Sequence, residues 1–136
     1  MKSWITIVGL AAVSLGGCAP RVADCLLPSQ RLMVEIDLFF GSDISGRAPV
    51  SQADWAAFVA SDIGVRFPAG FTVLYAQGEW RSPAGVVARE NTRLVRILVV
   101  PAPNLAARVQ AVAQSYKRQF HQEAVGVVTS QACAAF

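Results

Sequence analysis

Between residues 31 and 129 the hydrophobic period of this chain switches from two to 3.6 and back, twice. Arg31 to Phe40 alternates strictly. Leu32, Val34, Ile36, Leu38 and Phe40 fall on one side, and Met33, Glu35, Asp37 and Phe39 on the other. That alternation predicts a strand with one buried face. Ser51 and Asp54 then form a capping box, and Val50 with Trp55 a hydrophobic staple, so a helix begins there. Its stripe is Trp55, Phe58, Val59 and Ile63. Gly64 is read as its end, and Pro68 bars extension past Phe67. Phe71 to Arg81 is the second strand. Ser82-Pro83-Ala84-Gly85 has turn chemistry, with Pro second and Gly fourth, and Val86 to Glu90 continues a hairpin. Arg93 to Val100 is the third strand, halted by Pro101 and Pro103. Asn104 can cap a second helix, where Leu105, Val109, Val112, Tyr116 and Phe120 recur at helical spacing. Glu123 to Thr129 is the last strand.

The order β-α-β-β-α-β predicts an α+β domain of the split βαβ, ferredoxin-like arrangement. The expected sheet is four-stranded and antiparallel, in the order 4-1-3-2, with both helices on one face. Strands 1 and 3 are expected as parallel neighbours at its centre. Strand 4 would run antiparallel beside strand 1. The chain has three cysteines, and this order brings Cys133, after strand 4, to Cys25, before strand 1. A Cys25–Cys133 disulfide would close a loop of roughly 110 residues, worth about 4–5 kcal/mol in the chain-entropy model. Two free thiols are the alternative.

The start of the chain indicates location. Met1 and Lys2 lead into an apolar run from Trp4 to Leu15, followed by Gly16-Gly17-Cys18. A basic start, a short apolar core and small residues before a break mark a secretory signal. The run is shorter than the roughly 20 residues of a membrane span. Leu15-Gly16-Gly17-Cys18 resembles a bacterial lipobox. Residues 1–17 are thus read as a lipoprotein signal peptide, 18–30 as the lipidated Cys18 and a tether, and 31–136 as one domain. An ordinary cleaved signal and an uncleaved anchor are the alternatives. The implied partner is the membrane, through a lipid anchor. Ala19, in place of a retaining aspartate, favours an outer-membrane lipoprotein facing the periplasm. An exported chain sits in an oxidising compartment, where two remaining cysteines pair.

Twelve basic against nine acidic residues give a net charge of +3. That is too weak, and the Arg residues too scattered, to argue for nucleic acid. No glycine pattern matches a phosphate-binding fingerprint, and no cofactor is expected. His121 is the only histidine. At the end of a helix it is favoured as a capping cation. The sharper reading brings His121 and Glu123 to Ser42 and Asp43, because the start of strand 4 lies beside the end of strand 1. Imidazole, carboxylate and hydroxyl are the parts of acid–base or nucleophilic catalysis, but the spacing carries no motif. One His and one or two carboxylates fall short of a catalytic zinc set, so no metal is expected. Around the hairpin turn, Arg81, Arg89, Glu79 and Glu90 are expected to pair across strands. Trp80 reads either as core, with Leu74 and Ala76, or as an exposed contact anchor.

On the side away from the helices the pattern places Met33, Glu35, Asp37 and Phe39 beside Leu94, Arg96 and Leu98, joined by Tyr75 and Gln77. A charge amid such neighbours needs a partner, so Arg96 is expected to pair with Glu35 or Asp37. So many large apolar groups on one face call for a cover, and a second copy of the chain is the commonest kind. The first functional reading is therefore a binding or structural module of the cell envelope, self-associating through its sheet as a homodimer. The alternative is a small enzyme or ligand-binding protein of the dimeric ferredoxin-like barrel type, with a pocket on that face for a small-molecule or protein ligand.

Several segments together are similar to one family. These are Val50-Ser51 through Trp55 and Phe58, Arg66-Phe67-Pro68, Gly70-Phe71-Thr72-Val73-Leu74, Ala76-Gln77-Gly78-Glu79-Trp80-Arg81, and Tyr116 with Phe120-His121-Gln122-Glu123. They resemble the bacterial domain of unknown function 3574, a family of small secreted, often lipoprotein-like proteins. The resemblance spans about residues 31–136. It implies one domain and an export role, and it transfers no catalytic or ligand residues.

Overall fold

A computed structural model describes residues 25–43, 47–81 and 85–136. Cys18, the signal segment and most of the tether lie outside the described residues, as does most of the Ser82–Gly85 turn. The elements are β1 (Arg31–Gly41), α1 (Gln52–Phe58), a π-helical turn (Val59–Ile63), α2 (Gly64–Arg66), β2 (Thr72–Arg81), β3 (Val87–Val99), α3 (Leu105–Phe120) and β4 (Gly126–Ala134). They form one four-stranded sheet in the order β2-β3-β1-β4, the ferredoxin-like α+β arrangement with its helices packed on one face.

Every strand pairing is antiparallel, so the expected parallel pairing of strands 1 and 3 is corrected. The physical reason is connectivity. The helical crossover from β1 lays β2 down in the same direction, and the hairpin then returns β3 between them, opposed to both.

Ser51 caps α1. Its Oγ accepts from the Asp54 backbone N–H at 3.1 Å, and its hydroxyl donates to Asp54 Oδ2 at 2.6 Å. The helix does not stop at Gly64. That residue is helical (φ −60°, ψ −38°), and its N–H donates to the Val59 carbonyl. The chain leaves the helix at Phe67 (φ −128°, ψ 61°), where the following Pro68 disfavours the helical region. The π turn widens the helix by one residue, so that Phe58 and Ile63, five apart, both reach full burial. Asn104 precedes α3 without a side-chain capping bond.

The core is aromatic. The rings of Phe40 and Tyr116 lie 4.7 Å apart, and those of Phe58 and Tyr116 5.1 Å, both edge-on. Trp55 and Phe120 complete the group above Ile36, Leu38, Val95 and Ile97 of the sheet. Tyr116 donates its hydroxyl to the Gly41 carbonyl at 2.8 Å, and burial pushes its pKa up to about 12. Arg93 also points into this layer and is buried. Its Nη2 donates to the Val50 carbonyl at 3.1 Å, and its guanidinium stands 5.1 Å from the Trp55 ring centre, while Nε and Nη1 have no hydrogen-bond partner among the described residues.

Two strand boundaries differ from expectation. β3 is continuous from Val87 to Val99, joining the hairpin arm to the third strand. β4 begins at Gly126 rather than Glu123, because His121 closes α3 in the left-handed region (φ 52°) with its N–H on the Lys117 carbonyl. The chain needs the next residues to turn back. At the far end of the sheet, Cys25 and Cys133 are disulfide-bonded, with Cα atoms 5.5 Å apart.

Candidate functional site

The face away from the helices is built from alternate residues of all four strands. The register places Thr72 opposite Arg96 and Leu74 opposite Leu94, so Leu74 and Ala76, not Tyr75 and Gln77, lie on this open face. Tyr75 stands opposite Arg93 on the helix side, where its hydroxyl accepts from Gln52 Nε2 at 3.4 Å. The expected phase of β2 was thus one residue out, and Leu74 is 46% exposed instead of core.

Arg96 organises the centre of the face. It lies opposite Asp37 and grips it with two bonds, Nε to Oδ1 at 2.9 Å and Nη2 to Oδ2 at 2.7 Å. Its Nε is also 2.9 Å from Glu35 Oε1, and Ser130 Oγ donates to Glu35 Oε2 at 3.3 Å. The Arg96 hydrogen bonds, and then its charge, hold the Asp37 carboxyl below the usual carboxylate range against an opposing effect of burial. The same partnership raises the Arg96 pKa. Phe39, Leu74 and Val128 are partly exposed around this triad.

At the end of the face nearest the α3 C-terminus lies a cleft of about 690 Å³. Its floor has three glycines from three strands, Gly41, Gly78 and Gly126. A Cβ at Gly41 would stand 2.5 Å from Glu90 Oε2, one at Gly78 3.1 Å from Thr92 Oγ1, and one at Gly126 3.2 Å from Phe39 Cβ. Side chains from the neighbouring strand thus lie across these positions. The charged lining is Asp43, Glu79, Glu90 and Glu123 against Arg89, together with His121. Arg89 Nε meets Glu79 Oε2 at 2.7 Å across the hairpin. A second hollow of about 450 Å³ shares Asp43, Gly78, Glu79, Arg89 and Glu90.

The structure brings His121, Glu123 and Asp43 to one cleft, where Gln122 Nε2 ties the two loops by donating to the Asp43 carbonyl at 2.8 Å. Ser42 is not in the cleft lining. It is buried, and its hydroxyl lies 2.8 Å from the Asn91 carbonyl, to which it donates, and 3.5 Å from Asp43 Oδ1. Among the described residues no hydrogen bond links His121 to Ser42, Asp43 or Glu123, and no group of three or more His, Cys, Asp or Glu could hold a metal ion. The chemistry offered is polar binding with an excess of carboxylate. Sequence reasoning missed the glycine floor, and it read Glu79, Arg89 and Glu90 only as hairpin pairs, not as cleft lining. The available signal was parity, since Gly41, Gly78, Thr92 and Gly126 share the open face once the register is known.

No curated protein matches the sequence. Among solved structures, a phage SAM lyase in complex with S-methyl-5'-thioadenosine is similar at 15% identity and a TM-score of 0.59, covering 76% of this chain and 90% of that one. Phage SAM lyase in its apo state is similar at 15% identity and a TM-score of 0.56, covering 85% and 97%. CutA from Synechococcus elongatus complexed with Bis-Tris is similar at 10% identity and a TM-score of 0.50, covering 78% and 87%. At these identities the likeness is one of fold. The family model for DUF3574, proteins of unknown function, matches residues 35–136, and the chain belongs to that family.

Proposed function

We propose that this chain is a lipid-anchored binding module of the cell envelope, held to the membrane through Cys18, with the cleft beside His121 as its ligand site. The observation that carries the reading is the convergence at one end of the open face of all four strands and the α3 terminus around a hollow of about 690 Å³. That volume suits a small molecule. Four carboxylates against one guanidinium in its lining favour a ligand with positive charge. Ser42, bonded to Asn91, is taken as a structural residue, so the groups left in the cleft are binding groups rather than an activated nucleophile.

The test is native mass spectrometry of the full-length protein extracted from envelopes in mild detergent. The expected result is a small bound species that is lost in Glu123→Lys, which reverses an exposed charge in the cleft lining, while the melting temperature holds. A preparation with no bound species, or one whose bound species survives the substitution, sinks the reading. Anchoring is tested separately, since Cys18→Ser should release the protein from the membrane fraction or leave it unprocessed.

A second reading, a homodimer through the open face, is favoured by partly exposed Phe39, Leu74 and Val128 around the Arg96 triad. Arg96→Glu would set three like charges together and weaken such a dimer. Sedimentation that finds only monomer removes it.

A further inference from the structure

The disulfide fixes where the tether enters the fold. Cys25 is bonded to Cys133, which lies opposite Leu32 near the start of β1. Gln30 reinforces the join. Its Nε2 donates to the Cys133 carbonyl at 3.4 Å, and its Oε1 accepts from the Leu27 backbone N–H at 3.0 Å. The cleft lies at the other end of the sheet, with Gly41, the last residue of β1, on its floor. The 11 residues of β1 span about 35 Å at roughly 3.3 Å each. Only residues 19–24 separate Cys18 from Cys25, and that stretch, fully drawn out, reaches about 25 Å. Exposed apolar groups gather at the disulfide end. Leu26 and Leu27 follow Cys25 and are 90% and 52% exposed. Val100 follows Val99, the partner of Val34, and Phe136 lies two residues past Ala134, the partner of Arg31. Both are exposed, as is Arg31 itself.

We propose that the disulfide end of the domain rests on the lipid bilayer and that the cleft opens away from it. The inference rests on the anchor at Cys18 proposed above. Length bars the inverted placement. With the cleft end on the bilayer, Cys25 would stand about 35 Å from the surface, beyond the roughly 25 Å that the tether reaches. Of the placements the tether allows, the end-on one sets Leu26, Leu27, Val100 and Phe136 into the boundary between head groups and acyl chains. It also sets Arg31 against anionic head groups. The carboxylates of the cleft then stand clear of a surface that would repel them.

The test uses the lipidated chain extracted from envelopes and reconstituted in vesicles of phosphatidylethanolamine and phosphatidylglycerol, with or without bromine on the acyl chains. A tryptophan is added by Leu27→Trp or, in the cleft lining, by Ala124→Trp, both at exposed positions. Bromine should quench the added emission of Leu27→Trp at least twofold and leave that of Ala124→Trp unchanged. Adding Leu26→Asp with Val100→Asp to Leu27→Trp should abolish the quenching while the protein still floats with the vesicles. An unchanged melting temperature excludes misfolding as the cause. Protein that does not float removes the anchor, and this inference with it. Protein that floats with Leu27→Trp unquenched, with both tryptophans quenched alike, or with quenching that survives the aspartates overturns the orientation and leaves the anchor standing.

Discussion

On its helix side β1 sets down Ile36, Leu38 and Phe40, none of them exposed; one residue out of step, on its other side, it sets down Glu35, Asp37 and Phe39, each partly open to water. The same alternation therefore serves two different ends. The helix side is held by burial, in which Phe40, Trp55, Phe58, Tyr116 and Phe120 meet in edge-to-face and tilted pairs. The open side is held by an arginine and two carboxylates in contact with solvent, an arrangement that generally adds little stability. The comparison teaches that the fold depends on one side of the sheet, which leaves the other side free to carry recognition groups.

The largest break in that comparison comes from Phe58→Ala. It should cost about 3–5 kcal/mol in urea unfolding, while Leu74→Ala on the open side should stay near about 0.5 kcal/mol. Equal losses would erase the distinction. Replacing both Cys25 and Cys133 with serine should cost about 2–4 kcal/mol and shift both faces together, read as one cooperative transition at lower urea. Tyr116→Phe should cost about 1 kcal/mol by removing the bond to the Gly41 carbonyl. It also sharpens the comparison at high pH. The Tyr116 pKa is raised from 10.0 to about 12, so its contribution is complete below pH 10 and lost as pH rises through 12. The phenylalanine variant should lack that part of the alkaline limb. The smallest effect belongs to the open side. The Asp37 pKa is lowered from 3.8, so its contribution is present above that value and lost as pH falls through the folded-state value. Asp37→Asn should flatten the acid limb slightly and leave the neutral melting temperature almost unmoved.

Much of the fold was legible because it is written in local chemistry. Ser51 and Asp54 announce a helix start, β1 alternates without a break, and the strand order alone brings Cys25 to Cys133. What was not legible depends on neighbours. The face of Leu74 and Tyr75 is set by the register with β3, which a lone strand does not encode. Gly64 looked like a stop, but helical geometry is open to glycine when the Val59 carbonyl is in place to receive its N–H. His121 in a left-handed conformation shortened β4 because the turn takes residues that also read as strand. At the candidate site, the meeting of His121, Glu123 and Asp43 followed from topology, whereas Ser42, though 3.5 Å from Asp43 Oδ1, is held out of the cleft by its shorter bond to a carbonyl on another strand, Asn91. The glycine floor joins positions more than thirty residues apart, and no short motif contains it.

The π-helical turn at Val59–Ile63 has an evolutionary consequence. A helix with one surplus residue has the form left by a single-codon insertion that was absorbed locally instead of rotating everything after it. Its reversal should therefore be mild. Removing Ala60, an exposed residue of that turn, would let the helix close as an ordinary α-helix with Phe58 and Ile63 then four positions apart, still on one face. The same deletion in α3, where Val109, Val112, Tyr116 and Phe120 keep α-helical spacing, would rotate the last two away from the core.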